Sequence, residues 1–147
     1  MVYLGLGSNL GDRQATLLRA YDEIQKLIGP IVRQSAFFVS QPWGFQSENE
    51  FLNSVVCCRT PLTPHEVLGL TQRIERTLGR RQKSAGGVYH DRPIDIDLLL
   101  YDHYYIISAC LRVPHPLMLQ RPFVMLPLLE IWDTDRCFSP ARQYFSQ

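Results

Sequence analysis

The sequence predicts an α+β fold in which helices cover one face of a β-sheet. Runs with alternating apolar residues are separated by segments whose apolar residues recur every three to four positions, in the order strand, helix, strand, strand, helix, strand. Glycine or proline stands at several of the junctions. A chain of 147 residues can bury one core without disulfides or metals to support it. These observations predict a ferredoxin-like βαββαβ sandwich, with extra short strands and a C-terminal helix, as a single domain over residues 1–147.

The first half of the chain accounts for four elements. A strand is predicted over residues 2–6, and a helix over 13–28 ends where Gly29-Pro30 interrupts the apolar pattern. Two further strands are predicted over 31–39 and 51–59. The loop between them, residues 40–50, is long for a hairpin connection. We therefore expect that loop to have a role beyond connecting the two strands.

The second half supplies the other helix and the central motif. Thr63 is a capping residue followed by Pro64 at the first helical position, and the helix should end near Leu78 before a glycine. A strand is predicted over 94–100. Short strands at 104–107 and 111–113 and a short helix at 123–129 complete the set. Both main helices should lie on one sheet face and leave the other face free for a ligand.

Asp95 and Asp97 are the most informative residues. They stand two positions apart in a strand, so both carboxylates share one face, while Ile94, Ile96 and Leu98 share the other. Two like charges held this close repel each other unless a cation lies between them. Hard carboxylate oxygens favour Mg²⁺ or Mn²⁺, which commonly accompany a phosphate substrate. The alternative is an ordinary solvated strand face.

Basic residues surround this strand. Residues 79–92 form a glycine-containing segment with four cations, which are Arg80, Arg81, Lys83 and Arg92. His115 and Arg121 follow in loops stiffened by proline. Guanidinium groups beside a carboxylate pair suit the outer oxygens of a polyphosphate.

Composition excludes several classes of protein. The net charge of +1 is too small for a general nucleic-acid binder, and the apolar runs are too short to suggest a signal peptide or a membrane span. Four cysteines, at 57, 58, 110 and 137, lack C-x-x-C spacing and are expected to be reduced. The glycines at 5, 7 and 11 do not have the spacing of a dinucleotide-binding loop. We expect a cytoplasmic protein without nucleic-acid or membrane partners.

Six segments together resemble one family. They are GLGSNLGD at 5–12, FLN at 51–53, TQRIE at 71–75, DRPIDIDLL at 91–99, VPH at 113–115 and RPFVMLPL at 121–128. In this order they are similar to 6-hydroxymethyl-7,8-dihydropterin pyrophosphokinase, and the resemblance spans nearly the whole chain. Two positions depart from the family pattern: Gln82 stands where an arginine is frequent, and Tyr89 where a tryptophan is frequent.

The resemblance implies a reaction. The family transfers pyrophosphate from ATP to 6-hydroxymethyl-7,8-dihydropterin, giving the pterin diphosphate and AMP, a step of folate biosynthesis. It implies two Mg²⁺ ions held by Asp95 and Asp97, with Arg80 and Arg92 also catalytic. The expected assembly is a monomer or weak dimer that acts on small molecules.

The resemblance also implies two binding sites. ATP would contact Gln72, Glu75, Arg80, Arg92, Leu98, Arg112, His115 and Arg121. The pterin would contact Ser40, Pro42, Trp43, Phe51, Asn53, Tyr89 and Phe123, with the two phenylalanines sandwiching the ring and Asn53 bonding its edge. Taken singly, the helix pair at 72 and 75 is equally a polar flank. A phenylalanine such as Phe51 or Phe123 is by itself more often a core residue, and only the joint match to the family overturns that interpretation. Ser8 and Asn9 either shape a turn or border the pterin site, and the turn is the favoured interpretation.

Two other classes remain open from the residues alone. A ferredoxin-like RNA-binding module shares the topology, but it would not place paired aspartates on its binding face. A two-metal nucleotidyl transferase or cyclase shares both sheet and aspartates, but it usually needs a third acidic ligand and a longer chain.

Overall fold

The computed structural model describes residues 1–79 and 91–132. The predictions for Arg80, Arg81, Lys83, Tyr89 and Cys137 lie outside these residues. Everything below concerns the described ranges.

The order of elements confirms the predicted α+β sandwich. The elements are β1 (Val2–Ser8), α1 (Arg13–Leu27), β2 (Ile31–Gln34), β3 (Phe38–Ser40), β4 (Phe51–Cys58), α2 (Pro64–Thr77), β5 (Asp95–Tyr101), β6 (Ile106–Ile107), β7 (Arg112–Val113) and α3 (Pro122–Ile131). The main sheet runs in the order β2-β4-β1-β5, with β3 also pairing to β4, and every pairing is antiparallel. Strands β6 and β7 form a separate small ribbon. This order is that of a ferredoxin-like sheet, with β5 at its edge.

The ends of both main helices have local causes. The side chains of Asp12 and Thr63 each accept a hydrogen bond from the backbone N–H three residues later, at 3.1 and 3.2 Å. After α1 the chain passes so close to β4 that a Cβ on Gly29 would lie 1.9 Å from the carbonyl oxygen of Arg59. After α2, Gly79 has a φ of +103°, which other residues rarely adopt. The predicted helix limits at these glycines are confirmed.

The single strand predicted over residues 31–39 is wrong, because the structure has two. Gln34 pairs with Val56 of β4, and Phe38 pairs with Asn53 of β4. The chain therefore advances by four residues while β4 advances by three, so one residue between Gln34 and Phe38 is extra. Ser35 lies in this bulge, where its N–H donates to the Val55 carbonyl and its Oγ accepts from the Val55 N–H, both at 2.9 Å. The bulge redirects β3 towards the end of the sheet where the site lies.

The two sheet faces have different cores. One face packs under α1 and α2, through buried residues such as Leu4, Leu6, Leu17, Ile24, Ile74 and Ile96. The other face had been predicted to be free for a ligand, and this prediction is wrong in part. The apolar helix α3 covers part of that face. Its residues Val124, Leu128 and Ile131 pack against Tyr3, Val55, Cys57 and Leu99. Only the part of this face beside the N-terminal end of α3 remains available for a ligand.

The cysteines agree with the expectation of free thiols. Cys57 and Cys58 are buried on opposite faces of β4, as predicted for neighbours in a strand, and Cys110 is exposed. Burial, together with the adjacent Cys57, raises the pKa of the Cys58 thiol to about 12. In residues 1–79 and 91–132, no helix has the length and apolar character needed to cross a bilayer.

Candidate active site

The aspartate pair lies on the face of β5 that is turned away from the main helices. The side chains of Asp95 and Asp97 are 19% and 20% exposed, whereas Ile94, Ile96 and Leu98 are buried in the core beneath α1 and α2. The predicted sharing of one face is therefore confirmed. It leaves two carboxylates side by side in a partly solvent-screened position.

Glycines of β1 make room for this pair. Gly5 lies opposite Asp97 in the β1–β5 pairing, and Gly7 lies opposite Asp95. A Cβ on Gly7 would lie 3.2 Å from the Asn53 side-chain oxygen, so the glycine lets Asn53 approach the aspartates. Sequence reasoning missed this contribution. The signal was present, because two glycines at a spacing of two in a strand leave one face bare.

Two arginines accompany the carboxylates. Arg92 Nε lies 3.9 Å from Asp95 Oδ2, and Arg121 Nη1 lies 3.8 Å from Asp97 Oδ2. The Arg92 guanidinium also lies 5.0 Å from the ring centroid of Phe51. These separations are those of ion pairs and cation–π contacts rather than direct charged hydrogen bonds. Each arginine thus joins a carboxylate to an aromatic wall.

That wall belongs to a small cavity of about 30 Å³. Its lining includes Ser40, Trp43, Phe51, Asn53, Phe123 and both aspartates. The Asn53 amide group donates to Ser40 Oγ at 2.7 Å and to the Phe38 carbonyl at 3.1 Å. Within the described residues, the side-chain Oδ1 of Asn53 remains able to accept a hydrogen bond from a ligand. Aromatic rings and one oriented amide suit a flat ligand with a polar edge.

The cavity is too small for such a ligand in this conformation. A volume of about 30 Å³ accommodates roughly two water molecules. Trp43, from the long loop after β3, lines this cavity and lies against Arg121. Phe45 of the same loop meets Phe51, another lining residue, edge-on with ring centroids 6.2 Å apart. Entry of a bicyclic ring therefore requires these loop residues to move. Phe45 was not predicted as a site residue.

A second cavity of about 310 Å³ lies on the other side of Asp97. Arg112 and His115 supply its polar lining, and Leu68, Ile96, Leu98, Cys110 and Leu111 supply much of the rest. His115 is held by two backbone contacts: its N–H donates to the Leu99 carbonyl at 2.9 Å, and its Nδ1 accepts from the Leu117 N–H at 3.2 Å. A neutral imidazole in this arrangement carries its proton on Nε2, where it can donate to a ligand. Asp97 lines both cavities.

Asn9 joins three segments at the site, although a turn was the favoured interpretation of this residue. It is 3% exposed, and it exchanges two backbone-directed hydrogen bonds with Arg92, one through its Oδ1 at 2.7 Å and one through its own N–H at 3.2 Å. Its Nδ2 donates to Asp91 Oδ1 and to the Asn49 carbonyl. Asn9 thereby fixes Arg92 and the end of the loop that carries Trp43. A lone asparagine after a strand gave no sequence signal of this role.

Asp91 shows the electrostatic effect of that network. Burial acts to raise its pKa, but hydrogen bonds from Ser47, Asn9 and Asn49, together with the charge of Arg92, outweigh it and lower the pKa below its usual value. The carboxylate is therefore held in its charged form.

Comparison with known proteins decides the family. The model of the family described as 7,8-dihydro-6-hydroxymethylpterin-pyrophosphokinase (HPPK) matches residues 3–133. The chain belongs to the HPPK family. It is 52% identical to 2-amino-4-hydroxy-6-hydroxymethyldihydropteridine pyrophosphokinase of Porphyromonas gingivalis, over 89% of this chain and 90% of that protein. The proteins of the same name from Aquifex aeolicus and Bacillus subtilis are 41% and 39% identical, over 88% and 89% of this chain and 79% and 77% of their own lengths.

A solved structure supports the fold independently. The crystal structure of an HPPK-DHPS in complex with substrates superposes with a TM-score of 0.69 at 14% identity, and it covers 88% of this chain and 39% of that chain. At this identity the likeness concerns the fold alone. Related HPPK sequences also occur within longer proteins, such as the mitochondrial folate synthesis bifunctional protein of Pisum sativum, which is 38% identical over 90% of this chain and 25% of that protein.

The residues predicted from the HPPK resemblance fall into three groups. Those brought together at the two cavities are Ser40, Trp43, Phe51, Asn53, Arg92, Asp95, Asp97, Leu98, Arg112, His115 and Phe123, with Arg121 stacked beside them. Pro42, Gln72 and Glu75 are not among the residues lining either cavity. Arg80 and Tyr89 lie outside the described residues, so their roles stay predictions.

Proposed function

We propose that this member of the HPPK family transfers pyrophosphate from ATP to 6-hydroxymethyl-7,8-dihydropterin, releasing AMP, as a step of folate biosynthesis. The observation that carries the proposal is the position of Asp97, which lines both an aromatic slot and a larger basic cavity. A transfer between two bound substrates needs such a junction, because the reacting atoms must meet there. The identity of 52% to a pyrophosphokinase of nearly the same length supports the same reaction.

The aromatic slot is the proposed pterin subsite. Phe51 and Phe123 would stack on the two faces of the ring, and Asn53 would bond its polar edge. Ser40 would act through Asn53, because Ser40 Oγ accepts a hydrogen bond from Asn53 Nδ2 at 2.7 Å. Trp43 would withdraw from the slot to admit the ring. Pro42 and Tyr89 are assigned here by family resemblance alone.

The larger cavity is the proposed ATP subsite. Its apolar part, which includes Leu68 and Leu98, suits the base, while Arg112 and His115 suit the ribose and phosphates. Arg92 and Arg121, next to the aspartates, would meet the pyrophosphate that is transferred. Arg80 and Gln72 are proposed contacts from the family pattern.

The aspartates fit a magnesium site. Two ionised carboxylates supply hard oxygen ligands, and their partial exposure leaves room for water and phosphate oxygens, which Mg²⁺ retains as further ligands. No cluster of three acidic, histidine or cysteine ligands occurs in the described ranges, so substrate oxygens would have to complete the shell. Two bound Mg²⁺ ions would neutralise the triphosphate and lower the barrier to attack at phosphorus.

The chain's own residues then act by positioning. The hydroxymethyl oxygen of the pterin attacks the β-phosphorus of ATP, the bond from that phosphorus to the α–β bridging oxygen breaks, and AMP leaves. Neither Asp nor His forms a covalent intermediate in this scheme. Arg92 and Arg121 stabilise charge on the transferred group, and the aromatic slot holds the nucleophile in line.

The proposal has a direct test. The protein is incubated with ATP, Mg²⁺ and 6-hydroxymethyl-7,8-dihydropterin, and AMP is measured by a coupled assay with and without the pterin. AMP that forms only with the pterin supports the proposal. Pyrophosphate release would indicate a nucleotidyl transferase or cyclase instead, and RNA binding without turnover would indicate an RNA-binding module. We further propose that the enzyme is a cytoplasmic monomer or weak dimer. Sedimentation at the assay concentration tests the oligomeric state.

A further inference from the structure

Glu75 is a buried acid that contacts β5 between the two aspartates. Its side chain on α2 is 3% exposed. Its Oε2 accepts a hydrogen bond from the backbone N–H of Ile96 at 2.9 Å. Ile96 separates Asp95 from Asp97, so this contact is made at the midpoint of the pair.

The location of β5 explains why such a contact is needed. In the sheet order β2-β4-β1-β5, the strand pairs with β1 on one side and forms the edge on the other. An outward N–H on an edge strand has no ladder partner, and burial beneath a helix removes water as an alternative. A side-chain oxygen of Glu75 satisfies that N–H by accepting its hydrogen bond. Helix α2 thereby holds the free edge of the strand.

Glu75 and the aspartates approach β5 from different directions. The Ile96 side chain packs in the core beneath the main helices, on the side from which α2 reaches the strand, whereas both aspartates line the smaller cavity on the opposite side, and Glu75 is not among the lining residues of either cavity. A bond to the backbone can therefore fix both carboxylates at once without touching what they bind. Partners of this kind, which orient the ligands of a metal, commonly matter as much as the binding groups they support.

We propose that Glu75 is a positioning residue for the aspartate pair, acting through the Ile96 backbone and not by contact with the nucleotide. The proposal rests on the proposed function, because it assumes that the aspartates serve the transfer. It gives a physical role to a residue that family resemblance assigned to ATP. It also predicts that an acceptor oxygen at position 75 matters more than the negative charge.

Two substitutions separate acceptor from charge. Glu75→Gln keeps a side-chain oxygen that can accept from Ile96, while Glu75→Leu removes it at similar volume. Amide hydrogen exchange at Ile96, measured by NMR, reports the bond without any substrate. We expect faster exchange and a kcat lower by about 10- to 100-fold in Glu75→Leu, as found when outer partners of metal ligands are lost. Glu75→Gln should stay within a few-fold of wild type, and KM for the pterin should change little in both.

Controls come from the same helix. Thr71→Val also removes a buried polar group from α2, but its hydroxyl bonds only within the helix, to the Leu68 carbonyl at 2.8 Å, so a stability loss alone should leave kcat unchanged. Glu66→Gln makes the same chemical change at an exposed position of the first turn. A fall in kcat for Thr71→Val as large as that for Glu75→Leu would overturn the proposal.

The outcomes are distinct from those of the proposed function. Loss of exchange protection at Ile96 together with slow turnover in Glu75→Leu, and neither in Glu75→Gln, supports the positioning role. Equal damage in both variants overturns it in favour of a role for the charge. If Glu75→Leu does not fold, Glu75→Gln decides: turnover near wild type supports the role, and a fall of tenfold or more overturns it. A wild-type chain that formed no AMP would count against the proposed function, while the exchange measurement would still test the anchor.

Discussion

The guanidinium of Arg121 lies 4.5 Å from the ring centroid of Trp43. The same arginine lies 3.8 Å from Asp97, and Arg92 repeats the arrangement between Phe51 and Asp95. Both arginines proposed to meet the transferred pyrophosphate therefore contact an aromatic residue of the proposed pterin slot. Phosphates that draw these arginines away would release Trp43, and the slot could then widen.

The aspartate pair provides the first prediction. Asp95→Ala or Asp97→Ala should lower Mg²⁺-dependent AMP formation by orders of magnitude, because each change removes half of the proposed ligand set. The fold should persist, since both side chains are partly exposed and the change relieves repulsion between like charges. Thermal unfolding and the AMP assay measure the two effects separately. Asp22→Ala, an exposed acid on α1, is the control. Near-normal turnover in either site variant would contradict the metal assignment.

The second prediction concerns substrate selectivity. Asn53→Ala and Phe123→Ala should weaken pterin binding by about 1–3 kcal/mol, which is the usual effect of losing a buried hydrogen-bond partner or a stacking ring. ATP binding should change little. Calorimetric titration of each ligand measures both. Leu52→Ala is a matched control, because Leu52 is the neighbouring residue of β4 but lines neither cavity and packs against the core beneath the main helices. Equal losses for both ligands would mean that the residues support the fold instead.

The third prediction ranks the cations. Arg92→Ala should lower the rate of the chemical step far more than ATP affinity, because its interaction strengthens as charge develops in the transition state. Arg81→Ala and Lys83→Ala should have smaller effects, each partly compensated by the other. Single-turnover kinetics measures the step directly. A wild-type chemical rate for Arg92→Ala, with a loss in either loop variant, would reverse the ranking.

The fourth prediction uses the cysteines to locate the nucleotide. In a Cys137→Ser background at pH 8, an aromatic disulfide reagent should label Cys110 first, because Cys110 is exposed whereas Cys57 and Cys58 are buried. In addition, the pKa of the Cys58 thiol is raised to about 12, so this thiol remains protonated and unreactive. Cys110 lines the proposed ATP cavity. Saturating ATP should therefore slow its labelling, whereas the pterin alone should not. Labelling at the same rate with and without ATP would move the nucleotide out of this cavity.

The fifth prediction tests the Asn9 network by pH. Asn9→Ala removes one of the hydrogen bonds that lower the pKa of Asp91, so that pKa should rise towards its ordinary value, about 3.9. A depressed pKa contributes stability above the unfolded-state pKa, and this contribution is lost as pH falls through the folded-state pKa. The Asn9→Ala variant should therefore lose this contribution to stability at a higher pH than the wild type does. NMR titration of the Asp91 carboxyl measures the shift, and an unchanged pKa would exclude the contact in solution.

The parts of the fold that were predicted correctly depend on local chemistry. Capping by Thr63, glycine after each helix and the alternation around Asp95 all act within a few residues, so the sequence displays them, whereas the cap at Asp12 was not predicted. The break between β2 and β3 depends on Ser35 meeting Val55, twenty residues away. The packing of α3 over the second face depends on which face the main helices already occupy.

The site shows the same division. The aspartate spacing and the family motifs indicated the aromatic and charged residues that line the two cavities, but not most of the other lining residues. The bridging role of Asn9 and the contact of Glu75 with Ile96 could not be predicted, because each joins segments that lie far apart in sequence. A buried polar residue has the same one-letter code whether it makes a turn or holds two strands.

The side chains of strand β4 alternate between the two faces of the sheet and contact three different parts of the molecule. Phe51 and Asn53 face the proposed substrate slot, Val55 and Cys57 lie beneath α3, and the intervening residues, Leu52, Ser54, Val56 and Cys58, face the main helices. Deleting or inserting one residue within this strand would reverse the face of every side chain beyond that point. A deletion before Asn53 would direct a leucine or serine at the substrate and turn the asparagine into the core. We therefore expect that in diverging copies of this gene β4 changes its residues but keeps its length, while the loop before it varies in both.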